Sequence, residues 1–342
     1  MSETLSKDFF GSLGRVRSTV RFRIHSRSAR VRHRVIKGIF VSGYLQDKVI
    51  AITGSGRGIG RSIALLAAAE GARIVVADFG VSMDGNEPSS EVADSVVAEI
   101  KAAGGEAVAI ASDVGTMAGG ESIVTAALDT YGRIDGAVCV AGILRERMLF
   151  NMSEEEFDDV IRVHLKGTFT VYRAAAAAMR KQPEGGSLIA FTSGVWALGS
   201  VAQANYAAAK GGIVSLSYSA AVGLERYGVR ANVIAPVART RMSANVPMQL
   251  AENGEPEDIA PMAVYLLSDK SKHITGQVYS AVGNKIAVWS QPKEVRAMYN
   301  DTRWTPELIE ERLPATVKFE RLPFLDMVEE MKRAAAAKET PN

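Results

Sequence analysis

The apolar run from Val49 to Thr53 ends directly in four glycines set two apart, Gly54, Gly56, Gly58 and Gly60. The residues that follow, to Glu70, are apolar at helical spacing. Such a stretch has few ways to fold. A buried strand must turn sharply, through backbone that glycine adopts most readily, and feed a helix. The turn leaves backbone N–H groups and the positive end of the helix dipole facing one spot, a seat for a pyrophosphate. The candidate cofactor-binding loop is therefore Gly54, Ser55, Arg57, Gly58, Ile59 and Gly60.

The alternation continues along the chain. Further strands are predicted over 73–78, 106–112, 134–140, 187–192, 229–235 and 277–281. Helices are predicted over 58–70, 89–103, 121–131, within 153–182, and over 203–227. The helix within 153–182 opens on Ser153-Glu-Glu-Glu156, a capping-box pattern. This order predicts an α/β fold: one Rossmann-like, doubly wound parallel sheet of about seven strands, with right-handed crossovers placing helices on both faces. Three regions are expected. Residues 1–44 are a basic leader, 45–283 a dinucleotide-binding catalytic domain, and 284–342 a helical extension.

Composition narrows the function classes. The chain has 342 residues, 47% of them apolar, enough for one large core. No apolar run reaches the ~18–20 residues of a membrane span. The single cysteine, Cys139, excludes an intramolecular disulfide and suits a reducing compartment, so a cytoplasmic protein is expected. One cysteine and four histidines make a metal site an unexpected feature. Net charge is +2, yet residues 1–44 hold eight Arg and two Lys against one Asp and one Glu, so the body is acidic. The leader reads as a targeting peptide, as an arm for nucleic acid or a membrane surface, or as a reading frame begun too far upstream of Val41. The last is favoured, and no nucleic-acid partner is expected.

Asp78 ends the second predicted strand, where a carboxylate can accept from ribose hydroxyls and would repel a 2′-phosphate. That favours NAD over NADP, although Arg57 pulls the other way. Asp113 and Val114 end the third strand, where Asp113 can receive the adenine amino group or cap a helix. Tyr206 and Lys210 are four apart and share a helix face. An ammonium there would lower the tyrosine pKa from ~10 and hold the nicotinamide ribose. Ser193, just past the fifth strand, can hold the substrate oxygen.

Thr53-Gly-x-x-x-Gly58-Ile-Gly60, Ser193 and Tyr206-x-x-x-Lys210 together resemble the short-chain dehydrogenase/reductase family, over 45 to about 283. The resemblance implies hydride transfer between a nicotinamide and a carbinol carbon, with Tyr206 as acid/base, Lys210 as its tuner and Ser193 as orienter. The family's Asn-Asn-Ala-Gly is here Cys139-Val140-Ala141-Gly142, which drops two amides but keeps close backbone approach at Ala141 and Gly142. Its helical Asn is here His164, a relay imidazole or a buried structural one. Its Pro-Gly is Pro236-Val237, followed by Thr240, which can still reach the carboxamide.

Several stretches are similar to one branch, the dehydrogenase part of peroxisomal multifunctional enzyme type 2. They are Asp78-Phe-Gly-Val with the insert through Gly85, 142–147, 163–167, 203–206 and 234–242. That branch implies an NAD-linked (3R)-hydroxyacyl-CoA or steroid-like alcohol as substrate. The alternatives are an NADPH-dependent 3-ketoacyl reductase and a cofactor-binding regulator without activity. Long helices around the alanines 174–178 and around Tyr206 imply a homodimer or homotetramer.

Overall fold

The computed structural model describes residues 34–36, 39–41, 43–80, 89–238, 254–318 and 321–339. Expectations placed on residues 1–33, on the insert through Gly85 and on Thr240 lie outside the described residues.

A short antiparallel hairpin, β1 (Arg34–Ile36) and β2 (Ile39–Val41), precedes the main sheet. The chain then runs β3 (Val49–Thr53), α1 (Gly58–Ala69), β4 (Arg73–Ala77), α2 (Glu91–Ala102), β5 (Glu106–Ile110), α3 (Met117–Tyr131) and β6 (Gly136–Cys139). The second half follows as α4 (Glu154–Ile161), a π-helical turn (Arg162–Lys166), α5 (Gly167–Met179), β7 (Gly186–Phe191), α6 (Val195–Leu198), α7 (Ala204–Leu224), β8 (Val229–Pro236), α8 (Pro256–Leu267), β9 (Val278–Val282) and β10 (Lys285–Val288). Two further helices, α9 (Pro306–Arg312) and α10 (Pro323–Glu339), lie beyond the sheet in sequence.

The sheet order is β10-β9-β8-β7-β6-β3-β4-β5. Pairings are parallel except β9 with β10. From β3 the chain builds outward through β4 and β5, then returns to the other side of β3 with β6. The strand order reverses there, and a ligand crevice opens at the strand C-termini. Side chains alternate across the sheet as period two demands. Ile50, Ile52, Ile74 and Val76 join one core with α1, α2 and α8, while Val49, Ala51, Val75 and Ala77 join a second with α3, α5 and α7. Both faces are dry, which is why the strands read as continuous apolar runs.

Three of the elements that differ from the sequence reading show why. The α3 helix starts at Met117, earlier than expected, because Thr116 caps it by accepting from the Gly119 N–H at 3.0 Å. Its Gly120 also lets it close onto α5: a Cβ there would stand 2.6 Å from Thr170 Cβ. The α8 helix was not foreseen, because two prolines fall within twelve residues. Pro256 occupies the first turn, where no N–H is needed, and Asp258 accepts from the Glu255 N–H at 2.7 Å to close a capping box. The strand β10 was also not foreseen. It folds back on β9 as an antiparallel edge.

Candidate active site

At the glycine loop, Gly54 has φ +62° and its Cα faces Ala141; a Cβ there would stand 2.8 Å from the Ala141 N and Cα. A Cβ on Gly60 would collide with the Gly54 carbonyl. The buried Ser55 hydroxyl points inward and donates to the Ile52 carbonyl at 2.7 Å, so it shapes the loop. Arg57 is exposed at the helix start, and Gly58 and Ile59 are half-buried. No side chain caps α1, and its first turn carries no acid. Its leading N–H groups are thus donors without side-chain acceptors, beside a cradle that Cβ atoms would fill. This donor set fits a pyrophosphate.

Asp78 follows β4 directly. Its Oδ2 accepts from the Gly56 N–H and its Oδ1 from the Gly80 N–H, each at 2.8 Å. Both bonds fix the carboxylate beside the loop and leave lone pairs for ribose hydroxyls. Gly56 must lack a Cβ, because one would stand 2.9 Å from Asp78 Oδ2. Asp113 makes two structural bonds. Its Oδ1 accepts from the Gly115 N–H at 2.9 Å and its Oδ2 from Arg162 Nη1 at 2.7 Å, tying the end of β5 to the π-helical turn. The neighbouring Val114 is buried, and a Cβ on Gly167 would stand 2.8 Å from its Cγ2.

Where two amides were missed after β6, Thr53 takes over. Its Oγ1 accepts from the Val140 N–H at 3.1 Å and the Ala141 N–H at 3.3 Å. The crevice floor is therefore closed by a hydroxyl from β3. Cys139 is buried, and desolvation pushes its thiol far up, so it stays protonated and inert.

Ser193, Tyr206, Lys210 and His164 come together at the crevice. Lys210 Nζ lies 5.3 Å from the Tyr206 ring centroid and donates to the Phe191 carbonyl at 2.7 Å. Thr192 supports this helix by donating to the Lys210 carbonyl at 2.9 Å. The His164 ring meets the Tyr206 ring edge-on, with centroids 5.2 Å apart. Burial pushes the Tyr206 phenol up to about 12, and a hydrogen bond with Ser193 pulls it partly back. Burial brings Lys210 down to about 7. Desolvation is thus the larger influence on the phenol. Near pH 7 the phenol is therefore neutral, while Lys210 is poised between its ammonium and amine forms.

His164 is 2% exposed and sits in the π-helical turn, a distortion that repositions side chains at functional sites. Its Nε2 lies 2.8 Å from the Ile143 carbonyl and 3.1 Å from the Ile143 N–H. The Nδ1 has no partner among the described residues. Burial first, and the Lys210 charge second, hold its pKa well below the usual imidazole value. It is neutral, and the space for it exists because Gly142 has no Cβ to strike the ring.

Sequence reasoning passed over Asn205 as an individual. It is fully buried, donates to the carbonyls of Arg145 and Glu156 at 2.9 and 2.8 Å, and accepts from the Tyr206 N–H at 2.8 Å. It ties the 143–147 segment and α4 to the start of α7, so the phenol's backbone is fixed. A buried amide next to the key tyrosine was the available signal.

A family model described as enoyl-(acyl carrier protein) reductase matches residues 54–283. The chain belongs to the short-chain dehydrogenase/reductase family. It is an oxidoreductase of CH–OH donors, with a nicotinamide cofactor and a small-molecule substrate. It is 42% identical over 277 residues to hydroxyacyl-CoA dehydrogenase ChsB1 of Mycobacterium tuberculosis, covering 77% of this chain and 86% of that one. It is 42% identical over 231 residues to peroxisomal multifunctional enzyme type 2 of Mus musculus, covering 67% of this chain and 31% of that protein. The branch resemblance therefore holds. A short-chain dehydrogenase structure from Mycobacterium avium, 42% identical, covers 81% of this chain and 97% of its own with a TM-score of 0.73. A second, from Mycobacterium paratuberculosis bound to NAD, is 26% identical, covers 69% and 97%, and has a TM-score of 0.64. No helix among the described residues is long and apolar enough to cross a membrane.

Proposed function

We propose that this chain oxidises a (3R)-3-hydroxyacyl-CoA thioester with NAD. The observation that carries the cofactor is Asp78, a carboxylate fixed by the Gly56 and Gly80 N–H groups beside the phosphate seat. A 2′-phosphate there would meet a negative charge that cannot swing away. Support for the thioester comes from relatives named for it or for peroxisomal multifunctional activity.

Residues Gly54, Ser55, Arg57, Gly58, Ile59 and Gly60 hold the pyrophosphate, with Ala141 and Gly142 as the facing wall. Asp78 takes the ribose, Asp113 and Val114 border the adenine, and Tyr206, Lys210 and Thr240 take the nicotinamide side. A nicotinamide dinucleotide, when bound, supplies the hydride acceptor. Ser193 orients the substrate hydroxyl. Tyr206, as tyrosinate, takes its proton and becomes the phenol, and Lys210 as an ammonium, its Nζ fixed by the Phe191 carbonyl, stabilises that tyrosinate before the transfer. His164 positions the 142–143 backbone as a neutral imidazole.

The exposed position of Arg57 favours a second reading, an NADPH-dependent 3-ketoacyl reductase. Exposed Phe157, Phe169 and Val222 on α4, α5 and α7 support a homodimer or homotetramer. A cytoplasmic location goes with the single cysteine kept as a thiol. The deciding experiment follows nicotinamide absorbance with NAD and with NADP on hydroxyacyl-CoA esters. NAD-linked thioester oxidation is expected; turnover with NADP(H) alone would overturn the cofactor assignment, and inert thioesters the substrate.

A further inference from the structure

The family match ends at residue 283, yet the next segment reaches the turn that follows Ser193. Strand β10 carries the chain back along β9, and the residue after it, Trp289, donates its backbone N–H to the Val278 carbonyl at 2.9 Å. Its indole Nε1 donates to Ser280 Oγ at 2.8 Å, which fixes the ring. The indole meets Trp196 with centroids 5.6 Å apart and planes inclined at 60°. Trp196 starts from the catalytic turn itself: its backbone N–H donates to the Ser193 carbonyl at 3.0 Å. A methyl group placed on Gly194 would stand 4.0 Å from Trp289 Cζ2. The pair packs underneath on Val214, Val233 and Val278, so it is rigid, and each indole stays half-exposed.

We infer that Trp289 and Trp196 form the apolar wall of the substrate site beside Ser193, and that Trp289 sets how strongly the enzyme prefers substrates with a long apolar body. A fixed indole offers a large apolar face at little entropic cost. The polar end of a substrate must lie at Ser193 and Tyr206 for chemistry, so the carbons beyond it run along the neighbouring surface. The inference rests on the thioester reading for its first substrate series only.

The test uses the full chain carrying Trp304→Phe, which leaves Trp196 and Trp289 as the only tryptophans. The values of kcat/KM are measured for 3-hydroxybutyryl-CoA and 3-hydroxydecanoyl-CoA in this background and with Trp289→Ala or Trp289→Phe added. Trp289→Ala should cost the decanoyl ester about tenfold, mainly in KM, and the butyryl ester less than about twofold. Trp289→Phe should restore most of the preference, which a purely structural role would not do. Equal losses on both esters would overturn the inference. Tryptophan emission is also titrated with the decanoyl ester and with a hydroxysteroid, which needs binding but not turnover. If neither thioester reacts, the substrate reading fails alone: a steroid-induced change in emission that Trp289→Ala abolishes upholds the wall. Emission unchanged by every ligand overturns it.

Discussion

Lys210 is 4% exposed, and its Nζ donates to the Phe191 carbonyl at 2.7 Å. Burial lowers its pKa from 10.5 to about 7. In the unfolded chain it keeps an ordinary value of ~10.4. Between those two values the unfolded chain binds a proton that the folded chain does not, so stability rises with pH. A depressed folded-state value contributes stability that is present above the unfolded pKa and lost as pH falls through about 7. The slope is ~1.4 kcal/mol per pH unit for one proton. From pH 6.5 to 9.5 wild type should therefore gain about 3 kcal/mol over Lys210→Met, in which that titration is removed. Tyr206 is raised to about 12 and His164 is held neutral by burial, and both are common to the two proteins, so neither generates the difference. Urea unfolding of both proteins at four pH values, without cofactor, measures it. A stability difference that stays constant within about 0.5 kcal/mol would show that Lys210 keeps its ordinary value in the folded protein, and its lowering by burial would be refuted.

Tyr206→Phe should lower kcat by about 10²–10⁴-fold while NAD binding, followed by calorimetry, is retained; unchanged turnover would remove Tyr206 from the acid/base role. Asp78→Ser should raise kcat/KM with NADP and lower it with NAD, and an unchanged cofactor ratio would refute the ribose assignment. Asn205→Ala removes three hydrogen bonds of a fully buried amide, to the Arg145 and Glu156 carbonyls and from the Tyr206 N–H, and should cost about 1–3 kcal/mol in urea unfolding. A loss under about 0.5 kcal/mol would show that the amide does not tie α7 down.

The features legible in sequence are those written in adjacent residues. The run from β3 through the glycines to α1 states its turn, its helix and its phosphate seat in order, and Asp78 sits at the end of the next strand. Tyr206 and Lys210 are legible because one helical turn sets their spacing. What stayed hidden depends on contacts distant in sequence. The Thr53 hydroxyl looks like an ordinary strand residue until β6 is beside it. The π-helical turn at Arg162–Lys166 carries helical residues and no breaker, so its changed hydrogen-bond register has no local signature. Pro261 lies inside α8, a residue that disfavours a helix interior, and packing against α1 and β7 holds the helix there. The four residues of β10 alternate in exposure on an open edge, and their apolar content alone does not announce a strand.

The Thr53 clasp joins groups 87 and 88 residues apart, from opposite halves of the sheet. Contacts of such separation form late, since the loop between them must close first. The crevice floor therefore does not exist in a chain that has built only β3 to β5, even though the glycine loop and Asp78 are then already in place. A chain stalled halfway leaves the floor of its cofactor site open.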